Sequence, residues 1–201
     1  MIQGLKHCSA LLNRTEQESL VGELRLAVVK APLFGPLMPK TGRPFSVRMT
    51  NLGSLGWVSD RNGYRYQAQH PETGAAWPAM PQSILDIWSK VSDYNYPPEA
   101  CLVNFYQGGA KMGLHQDNDE EDFSAPVVSI SLGDTAVFRI GGTTRGGKTS
   151  TLKLSSGDVL VMGGQARLSF HGIDRVNQGT STLLKEGGRI NLTLRRVTQP
   201  K

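Results

Sequence analysis

Cysteine is scarce in this sequence, and long apolar runs are absent from it. Its 201 residues include two cysteines, Cys8 and Cys101, which are too few for a disulfide scaffold. No apolar stretch approaches the roughly 20 residues that a membrane-spanning helix needs, and no charged segment followed by an apolar one opens the chain. We therefore expect a protein of the reducing cytoplasm that has no membrane role.

Internal repeats and low-complexity tracts are lacking as well. At 201 residues, the chain is long enough to bury one sizeable core and short for two domains. We therefore expect a single domain over residues 1–201. Within it, we expect an N-terminal extension with helices over about residues 1–98 and a β core over about residues 99–197.

Basic side chains exceed acidic ones. The formal net charge is +5 and the sequence pI is about 9.4, which suits a polyanionic partner because basic side chains release counterions from phosphates. The charges are scattered rather than clustered, so the composition by itself favours a nucleic-acid partner only weakly.

The N-terminal part of the sequence has the pattern of amphipathic helices. Residues 15–18 (TEQE) have the spacing of a capping box, and apolar residues then recur at helical intervals to about Lys30. Prolines and glycines end this helix and form a loop before a strand that we predict over residues 45–49. A second helix is predicted over residues 82–91, where the apolar positions form a wide stripe.

From Cys101 onward, short β-like runs separated by glycines replace the helical pattern. They predict a mainly β fold, an antiparallel sandwich or barrel braced by the N-terminal helices. We predict strands over residues 101–106, 127–132, 136–140, 149–154, 158–162, 168–171 and 189–196. The glycine-rich segment 141–147 has the most flexible composition, and it carries Arg145 close to Lys148.

His115 and Asp117 are candidate metal ligands. They lie two residues apart, which on an extended chain puts the imidazole and the carboxylate on the same face. With His171, which precedes the turn residue Gly172, they make the set of two imidazoles and one carboxylate that leaves three positions open on iron(II). A structural zinc site usually has four protein ligands, and no fourth is obvious. The alternative is a hydrogen bond between His115 and Asp117, with His171 as a core residue.

Residues 189–195 (RINLTLR) alternate strictly between polar and apolar side chains. Two guanidinium groups are costly inside a barrel unless a dianion lies between them, and arginine binds carboxylates bidentately. The pattern therefore favours a dicarboxylic acid, to which Asn104 and Tyr106 on an earlier strand add donors. The alternative is a pair of half-exposed strands whose polar side chains face water. The polar face consists of Arg189, Asn191, Thr193 and Arg195.

These segments occur in the order of a known family. Residues 104–106, 114–120 (LHQDNDE), 171–172 and 189–195 resemble the AlkB family of 2-oxoglutarate dioxygenases. The resemblance continues upstream through short segments around Asn51, Trp57, Tyr64 and Trp77, and it covers most of the chain from about residue 45 to residue 195. It implies a double-stranded β-helix core, which is a cupin-like jelly roll.

The resemblance also implies a set of site residues. Iron(II) is expected on His115, Asp117 and His171, with 2-oxoglutarate chelating the metal and O2 as the second co-substrate. The far carboxylate of 2-oxoglutarate is expected to extend toward Arg195 and Tyr106, and the rest of its pocket is expected to consist of Asn104, Arg189 and Asn191.

For the substrate, the resemblance implies a base that is extruded from its strand and held under a lid. Trp57 and Tyr64 are expected to form the aromatic surface of this lid, and Asp119 its polar edge. On the residues alone, the two aromatic side chains are equally compatible with ordinary packing, and Asp119 with a solvated loop. Around the lid, residues 45–66 and the neighbouring Arg43 are rich in arginines that can straddle phosphates, and the candidate backbone contacts are Arg48, Arg61 and Arg65.

The activity that the resemblance implies is DNA alkylation repair by a monomer. N-methyl groups of bases such as 1-methyladenine and 3-methylcytosine would be removed oxidatively from single- or double-stranded DNA, with RNA as a further candidate. 2-Oxoglutarate would be decarboxylated to succinate and CO2, and formaldehyde would be released. Thr151 and Met162 depart from the family pattern, which usually has a basic and an aromatic residue there, and Lys148 and Lys153 are candidate substitutes for the first.

Two other functions stay open on the sequence. One is an iron(II) and 2-oxoglutarate oxygenase of the same fold that acts on a protein side chain or a small molecule. The other is a metal-binding β-barrel without catalysis, such as a sensor or a sugar-binding module. Arg189 and Arg195 weigh against the second, because such a module has no need of a site for a dianion.

Overall fold

The computed structural model describes residues 2–200, which form an antiparallel β core with two helices on one side. The helices are α1 (Arg14–Lys30) and α2 (Gln82–Val91). The strands are β1 (Leu5–Cys8), β2 (Arg48–Gly53), β3 (Gly56–Asp60), β4 (Gly63–Gln67), β5 (Ala100–Tyr106), β6 (Met112–His115), β7 (Val127–Gly133), β8 (Thr135–Ile140), β9 (Ser150–Leu154), β10 (Val159–Met162), β11 (His171–Asn177) and β12 (Arg189–Arg195).

Two antiparallel sheets make up the core. The larger has the strand order β1-β10-β7-β12-β5-β2, and the smaller has the order β6-β11-β8-β9. Most neighbours in each sheet are distant in the chain, as in a jelly roll. The strands β3 and β4 form a separate hairpin. The predicted mainly β fold with a double-stranded β-helix core is confirmed.

The apolar interior consists of two clusters, one on each face of the larger sheet, and the side chains of β12 point alternately toward one and the other. Leu192 and Leu194 point outward and pack with Leu24 of α1 and Trp88 of α2. The opposite face of the strand points between the two sheets, where Phe138 of β8 belongs to the second cluster. The polar face of β12 therefore lies inside the barrel, and the alternative in which its arginines face water is wrong.

The N-terminal extension is built into the larger sheet. Strand β1 pairs with β10 at one edge, and β2 pairs with β5 at the other. Helices α1 and α2 cover the outer face of the same sheet through apolar side chains such as Leu20 and Ile84. Within the described residues, neither helix is both long and apolar enough to cross a bilayer.

The structure corrects three local predictions. The strand predicted over residues 45–49 covers Arg48–Gly53 instead. The capping box of α1 is formed by Asn13 and Glu16 rather than by residues 15 and 18, with Asn13 Oδ1 accepting from Glu16 N at 3.0 Å; asparagine caps helices as well as threonine does. Strand β11 begins at His171 instead of ending there. Gly172 is a strand residue, and a Cβ on it would lie 2.5 Å from the carbonyl oxygen of Met112, so close packing rather than a turn requires glycine.

Candidate active site

A cavity of about 530 Å³ lies between the two sheets and is bounded on one side by the β3–β4 hairpin. All of the predicted metal, 2-oxoglutarate and base-binding residues line it. They are His115, Asp117, His171, Asn104, Tyr106, Arg189, Asn191, Arg195, Trp57, Tyr64 and Asp119.

His115, Asp117 and His171 meet at one end of this cavity. Strand β6 ends at His115 and its neighbour β11 begins at His171, and the two residues are paired in register. Asp117 Oδ1 lies 3.6 Å from His115 Nε2, and Asp117 Oδ2 lies 3.8 Å from His171 Nε2. The potential ligand atoms all lie within 4.8 Å of one another, which is close enough for one ion to bind all three.

The two imidazoles are oriented for coordination. His115 Nδ1 lies 2.9 Å from the carbonyl oxygen of Gly113, and His171 Nδ1 lies 3.0 Å from that of Ser169. Donation of Nδ1–H to these carbonyls leaves Nε2 as the free lone pair on each ring. Burial lowers the pKa of His171 to about 4, so this ring is neutral at pH 7.

Asp117 is ionised in spite of its burial. Burial opposes the charged carboxylate, but Arg195 and the two imidazoles outweigh it and hold the pKa of Asp117 well below its usual range. Arg195 donates to both carboxylate oxygens, at 3.2 Å from Nε and 3.0 Å from Nη2. The carboxylate is therefore charged and held in a fixed orientation, as a metal ligand requires.

Arg189 forms the other end of the cavity. It is fully buried, its Cζ lies 5.3 Å from the centre of the Tyr106 ring, and Nη2 donates to Ser131 Oγ at 3.0 Å. Nε and Nη1 have no hydrogen-bond partner, and neither does Asn104 Oδ1. Burial raises the pKa of Tyr106, so its phenol stays protonated and able to donate. A buried cation with unmet donors beside a phenol is suited to binding a carboxylate.

The register of β12 against β5 corrects one predicted pairing. Tyr106 lies opposite Arg189, whereas Arg195 lies opposite Ala100. Six residues separate these positions along the strand, a distance of about 20 Å. The far carboxylate of 2-oxoglutarate therefore fits beside Arg189 and Tyr106, and Arg195 lies at the metal end of the cavity.

Asn191 lines the cavity, but its polar atoms are already used. Nδ2 donates to Ser129 Oγ at 2.7 Å and to the carbonyl oxygen of Ile130 at 3.1 Å, and Oδ1 accepts from Thr193 Oγ1 at 3.0 Å. Its position suits a wall of the cavity better than a direct contact with 2-oxoglutarate.

A buried ionic network connects the hairpin to the metal end. Tyr66 on β4 donates from its hydroxyl to Glu120, and Arg195 lies 3.5 Å from the same carboxylate. Arg167 donates to Glu120 Oε2 at 3.0 Å and to the carbonyl oxygen of Asp117 at 2.7 Å. Each charge in this network has an opposite partner, as burial requires.

Sequence reasoning missed Tyr66, Glu120 and Arg167. The acidic run 117–122 suggested several solvated carboxylates, yet Glu120 is buried together with Asp117 and Asp122. Nothing in the local sequence distinguishes these carboxylates, because their partners come from other parts of the chain.

The predicted lid residues form one aromatic surface at the cavity. The rings of Trp57 and Tyr64 are stacked, with centroids 5.5 Å apart and an angle of 18° between planes. Trp57 Nε1 donates to Asp119 Oδ2 at 2.8 Å, and the Asn51 side chain holds the Trp57 backbone through two hydrogen bonds of 3.0 Å. The hairpin and the loop after β6 are therefore joined at this surface.

The predicted backbone-contact arginines do not line the cavity. Arg65 pairs with Asp60 at 2.8 Å, and Arg48 Nη2 donates to the carbonyl oxygen of Leu33 at 2.6 Å. Arg61 is exposed at the β3–β4 turn. Arg65 is thus partly neutralised within the hairpin.

The donor set fits iron(II) and 2-oxoglutarate. Two imidazoles and one carboxylate are the ligands of non-haem iron(II) oxygenases, and they leave positions open for a chelating co-substrate. The unmet donors of Arg189 provide a counter-charge for the second carboxylate of such a molecule. Both ends of the cavity therefore match the two ends of a 2-oxoacid that carries a distal carboxylate.

Comparisons with known proteins agree with this geometry. The family model of the 2OG-Fe(II) oxygenase superfamily matches residues 4–195. The alpha-ketoglutarate-dependent dioxygenase AlkB homolog of Caulobacter vibrioides is 53% identical over 197 residues, covering 98% of this chain and 89% of that protein. The dioxygenase AlkB of Escherichia coli is 42% identical over 184 residues, covering 90% and 84%. The solved structure of OsALKBH1 is 32% identical, has a TM-score of 0.81 and covers 96% of both chains.

The matches extend over the helices, the hairpin and the β core together. The metal and co-substrates of the superfamily are iron(II), 2-oxoglutarate and O2, as the sequence predicted. The residues that meet in the cavity are the ones on which the resemblance rested. This chain therefore belongs to the AlkB family of 2OG-Fe(II) oxygenases.

Proposed function

We propose that the protein demethylates N-alkylated bases in DNA, in single or double strands, with RNA as a second substrate. The observation that carries this proposal is the aromatic surface of Trp57 and Tyr64, joined to Asp119, which lines the same cavity as the His115, Asp117 and His171 cluster. A base removed from its stack needs an aromatic plane in place of its neighbours. Two proteins that are similar to part of this chain are named for this chemistry. They are a DNA N(6)-methyladenine demethylase of Arabidopsis thaliana and a tRNA demethylase of Schizosaccharomyces pombe.

His115, Asp117 and His171 would hold iron(II), and Arg189 with Tyr106 and Asn104 would hold the far carboxylate of 2-oxoglutarate. Rotation of the Asn104 amide by 180° would exchange its unpaired oxygen for Nδ2, which would then donate to that carboxylate. The bound metal with 2-oxoglutarate and O2 supplies oxidation of an N-methyl carbon, coupled to decarboxylation of 2-oxoglutarate to succinate and CO2. The hydroxymethyl product then loses formaldehyde without a protein base.

The polar edge of the lid suits cationic bases. 1-Methyladenine and 3-methylcytosine carry a positive charge, and the Asp119 carboxylate is held at the cavity by the indole N–H of Trp57. Asp119 is exposed, and a carboxylate beside a cationic ring is stabilising. We propose that Asp119 selects these lesions over uncharged bases.

We also propose that the chain acts as one domain and as a monomer. The extension of residues 1–98 supplies two edge strands of the larger sheet and the lid hairpin, so the core of residues 99–197 depends on it for both the sheet and the substrate surface. Size-exclusion chromatography with light scattering of the active protein would measure the mass directly.

The experiment that tests the function is anaerobic reconstitution with iron(II) and 2-oxoglutarate, followed by air and an oligonucleotide with one 1-methyladenine. Mass spectrometry is expected to show the loss of one methyl group with wild-type protein and none with His115→Ala. Asp119→Asn is expected to lower turnover of 1-methyladenine while it leaves 2-oxoglutarate binding intact. If 2-oxoglutarate were consumed while every methylated oligonucleotide stayed methylated, the substrate would be a protein or a small molecule instead.

A further inference from the structure

The lid hairpin is held at its base by a tryptophan that does not line the cavity. Gly56 and Gln67 form the pair at the open end of the β3–β4 hairpin. A Cβ on Gly56 would lie 2.4 Å from Trp77 Cε2, so the indole packs directly on the Gly56 backbone. Trp77 Nε1 donates to the carbonyl oxygen of Gln67 at 2.8 Å. One indole therefore contacts both strands of the hairpin at the point where they leave the core.

This support and the aromatic surface of the lid belong to opposite faces of the hairpin. Consecutive strand residues point to opposite faces, so Trp77, which packs on Gly56, lies behind the strand from which Trp57 reaches the cavity. Val58, the residue after Trp57, is buried in the same apolar cluster as Trp77. The ring that Trp57 presents to the cavity is therefore carried by a strand that is packed from behind.

His70 fixes the position of Trp77. The centroids of these two rings lie 5.2 Å apart, and Phe34 contacts the imidazole edge to face at the same distance. His70 Nδ1 accepts from the backbone N–H groups of residues 72–73 at 3.1 and 3.3 Å, and Nε2 donates to the carbonyl oxygen of Pro32 at 2.8 Å. Both ring nitrogens are thus engaged, so the imidazole has one orientation and forms a fixed wall for the indole.

The segments around Trp77 are in turn anchored to the larger sheet. Phe34 exchanges two backbone hydrogen bonds of 2.8 and 2.9 Å with Met49 of β2. At the end of the same strand, Gly53 N donates to the carbonyl oxygen of Pro78 at 2.8 Å. Neither Trp77 nor His70 lines the cavity, whereas Met49 does. The sheet therefore sets the position of the hairpin through residues that do not contact a bound substrate.

We propose that Trp77 is a positioning residue for substrate: it sets where the Trp57 ring lies and so how tightly the extruded base is bound. This inference rests on the proposed function, because it needs a base against Trp57. Stacking requires two rings in contact at a suitable offset and angle, so a small rotation of the hairpin lowers the affinity for the base. The metal ligands and Arg189 lie on other strands and are expected to be unaffected.

The first test separates the contribution of the base from that of the phosphates. Protein loaded with manganese(II) and 2-oxoglutarate is titrated with two fluorescent oligonucleotides, one with a 1-methyladenine and one with an abasic site at the same position. The ratio of the two Kd values reports on the base, because both strands carry the same phosphates. Trp77→Phe removes the hydrogen bond to Gln67 and part of the packed ring, and it is expected to reduce this preference for the methylated strand about tenfold.

Trp88→Phe is the matched control. Trp88 is buried on α2, outside the cavity, and its Nε1 donates to the carbonyl oxygen of Tyr96 at 3.0 Å. The same substitution therefore removes the same kind of hydrogen bond from the other side of the larger sheet. Trp88→Phe is expected to lower the Tm as Trp77→Phe does and to keep the wild-type preference. Both variants are expected to keep the wild-type rise in Tm on addition of manganese(II) and 2-oxoglutarate.

The second test asks whether Trp77 acts through Trp57. In a double-mutant cycle, Trp77→Phe is expected to have no further effect on the preference once Trp57→Ala has removed the stacking ring. His70→Asn tests the same support by a milder change, because asparagine retains an acceptor for the N–H groups of residues 72–73 and removes the ring from Trp77. It is expected to reduce the preference about threefold.

The outcomes separate this inference from the proposed function. If wild-type protein demethylates the methylated strand and prefers it to the abasic one, but Trp77→Phe reduces the preference no more than Trp88→Phe does, the inference is wrong. An equal effect of Trp77→Phe with and without Trp57 would contradict it as well. If wild-type protein neither demethylates the methylated strand nor prefers it, the proposed function fails, and the inference fails with it.

Discussion

Replacing Arg189 with methionine is expected to stabilise the protein in the absence of co-substrate. The guanidinium is fully buried, and its Nε and Nη1 atoms have no hydrogen-bond partner. An unpaired buried polar group costs about 1–3 kcal/mol, and a charged group costs more. Methionine has a similar length and no N–H donors, so we expect the free energy of unfolding to rise by about 2–4 kcal/mol. For a domain of this size, about 2 kcal/mol corresponds to about 4–8 °C in Tm.

The same substitution is expected to abolish binding of 2-oxoglutarate. Charge-assisted hydrogen bonds contribute about 1.5–3 kcal/mol each, so the loss of two weakens binding by a factor of roughly 10² to 10⁴. Manganese(II) with 2-oxoglutarate is therefore expected to raise the Tm of the wild type and to leave the Arg189→Met variant at the value it has with manganese(II) alone.

Differential scanning calorimetry with and without the two additives measures both effects. Arg175→Met is the matched control, because Arg175 is exposed on β11 and surface changes usually stay within about 0.5 kcal/mol. The control is expected to keep the full rise in Tm. The reasoning is that the unpaired, buried guanidinium of Arg189 destabilises the protein until a ligand binds to it. A metal-free Arg189→Met variant that melts at a lower temperature than the wild type would refute this reasoning.

Three further predictions concern the rest of the molecule. Tyr66→Phe removes a hydrogen bond to buried Glu120 and is expected to lower the free energy of unfolding, measured with urea, by about 1–3 kcal/mol. The same substitution is expected to weaken manganese(II) binding in EPR titrations. An unchanged affinity for manganese(II) would contradict the link between the hairpin and the metal site. Asn13→Ala removes the N-cap of α1 and is expected to cost about 1 kcal/mol in thermal unfolding, a loss that Asn13→Ser should avoid. Burial raises the pKa of Cys101 to about 12, so at pH 8 roughly one Cys101 thiol in 10⁴ is ionised. Iodoacetamide is expected to label half-buried Cys8 and to leave Cys101 unlabelled until the protein unfolds. Equal labelling rates at the two cysteines would contradict the burial of Cys101.

Features that depend on local periodicity were predictable from the sequence. The helix over Gln82–Val91 was predicted with its observed bounds, because its apolar stripe has the period of a helix and prolines lie on both sides of it. The polar face of β12 was predictable for the same reason, since a period of two puts Arg189 and Arg195 on one side of any strand. Which side faces the cavity stayed open on the sequence, because two buried cations are costly unless a dianion is bound and water is the common alternative.

Features that depend on distant partners were not predictable. Glu120 is buried because Arg167, Arg195 and the Tyr66 hydroxyl converge on it from three other parts of the chain, and its own neighbours in sequence resemble a solvated acidic loop. The phosphate contact predicted for Arg65 stays a prediction, and the pairing of Arg65 with Asp60 at 2.8 Å, which the hairpin register brings about, was not foreseen. Pairings across a sheet or a turn decide such cases, and composition does not reveal them.

The most direct test of the central claim follows the methyl carbon. An oligonucleotide with a ¹³C-labelled methyl group on N1 of one adenine is incubated with the iron(II) protein, 2-oxoglutarate and air, and formaldehyde and succinate are both quantified. The account predicts labelled formaldehyde, unmodified adenine and succinate in equal amounts, all lost in Asp117→Ala. Succinate without labelled formaldehyde, across DNA and RNA strands alike, would contradict it.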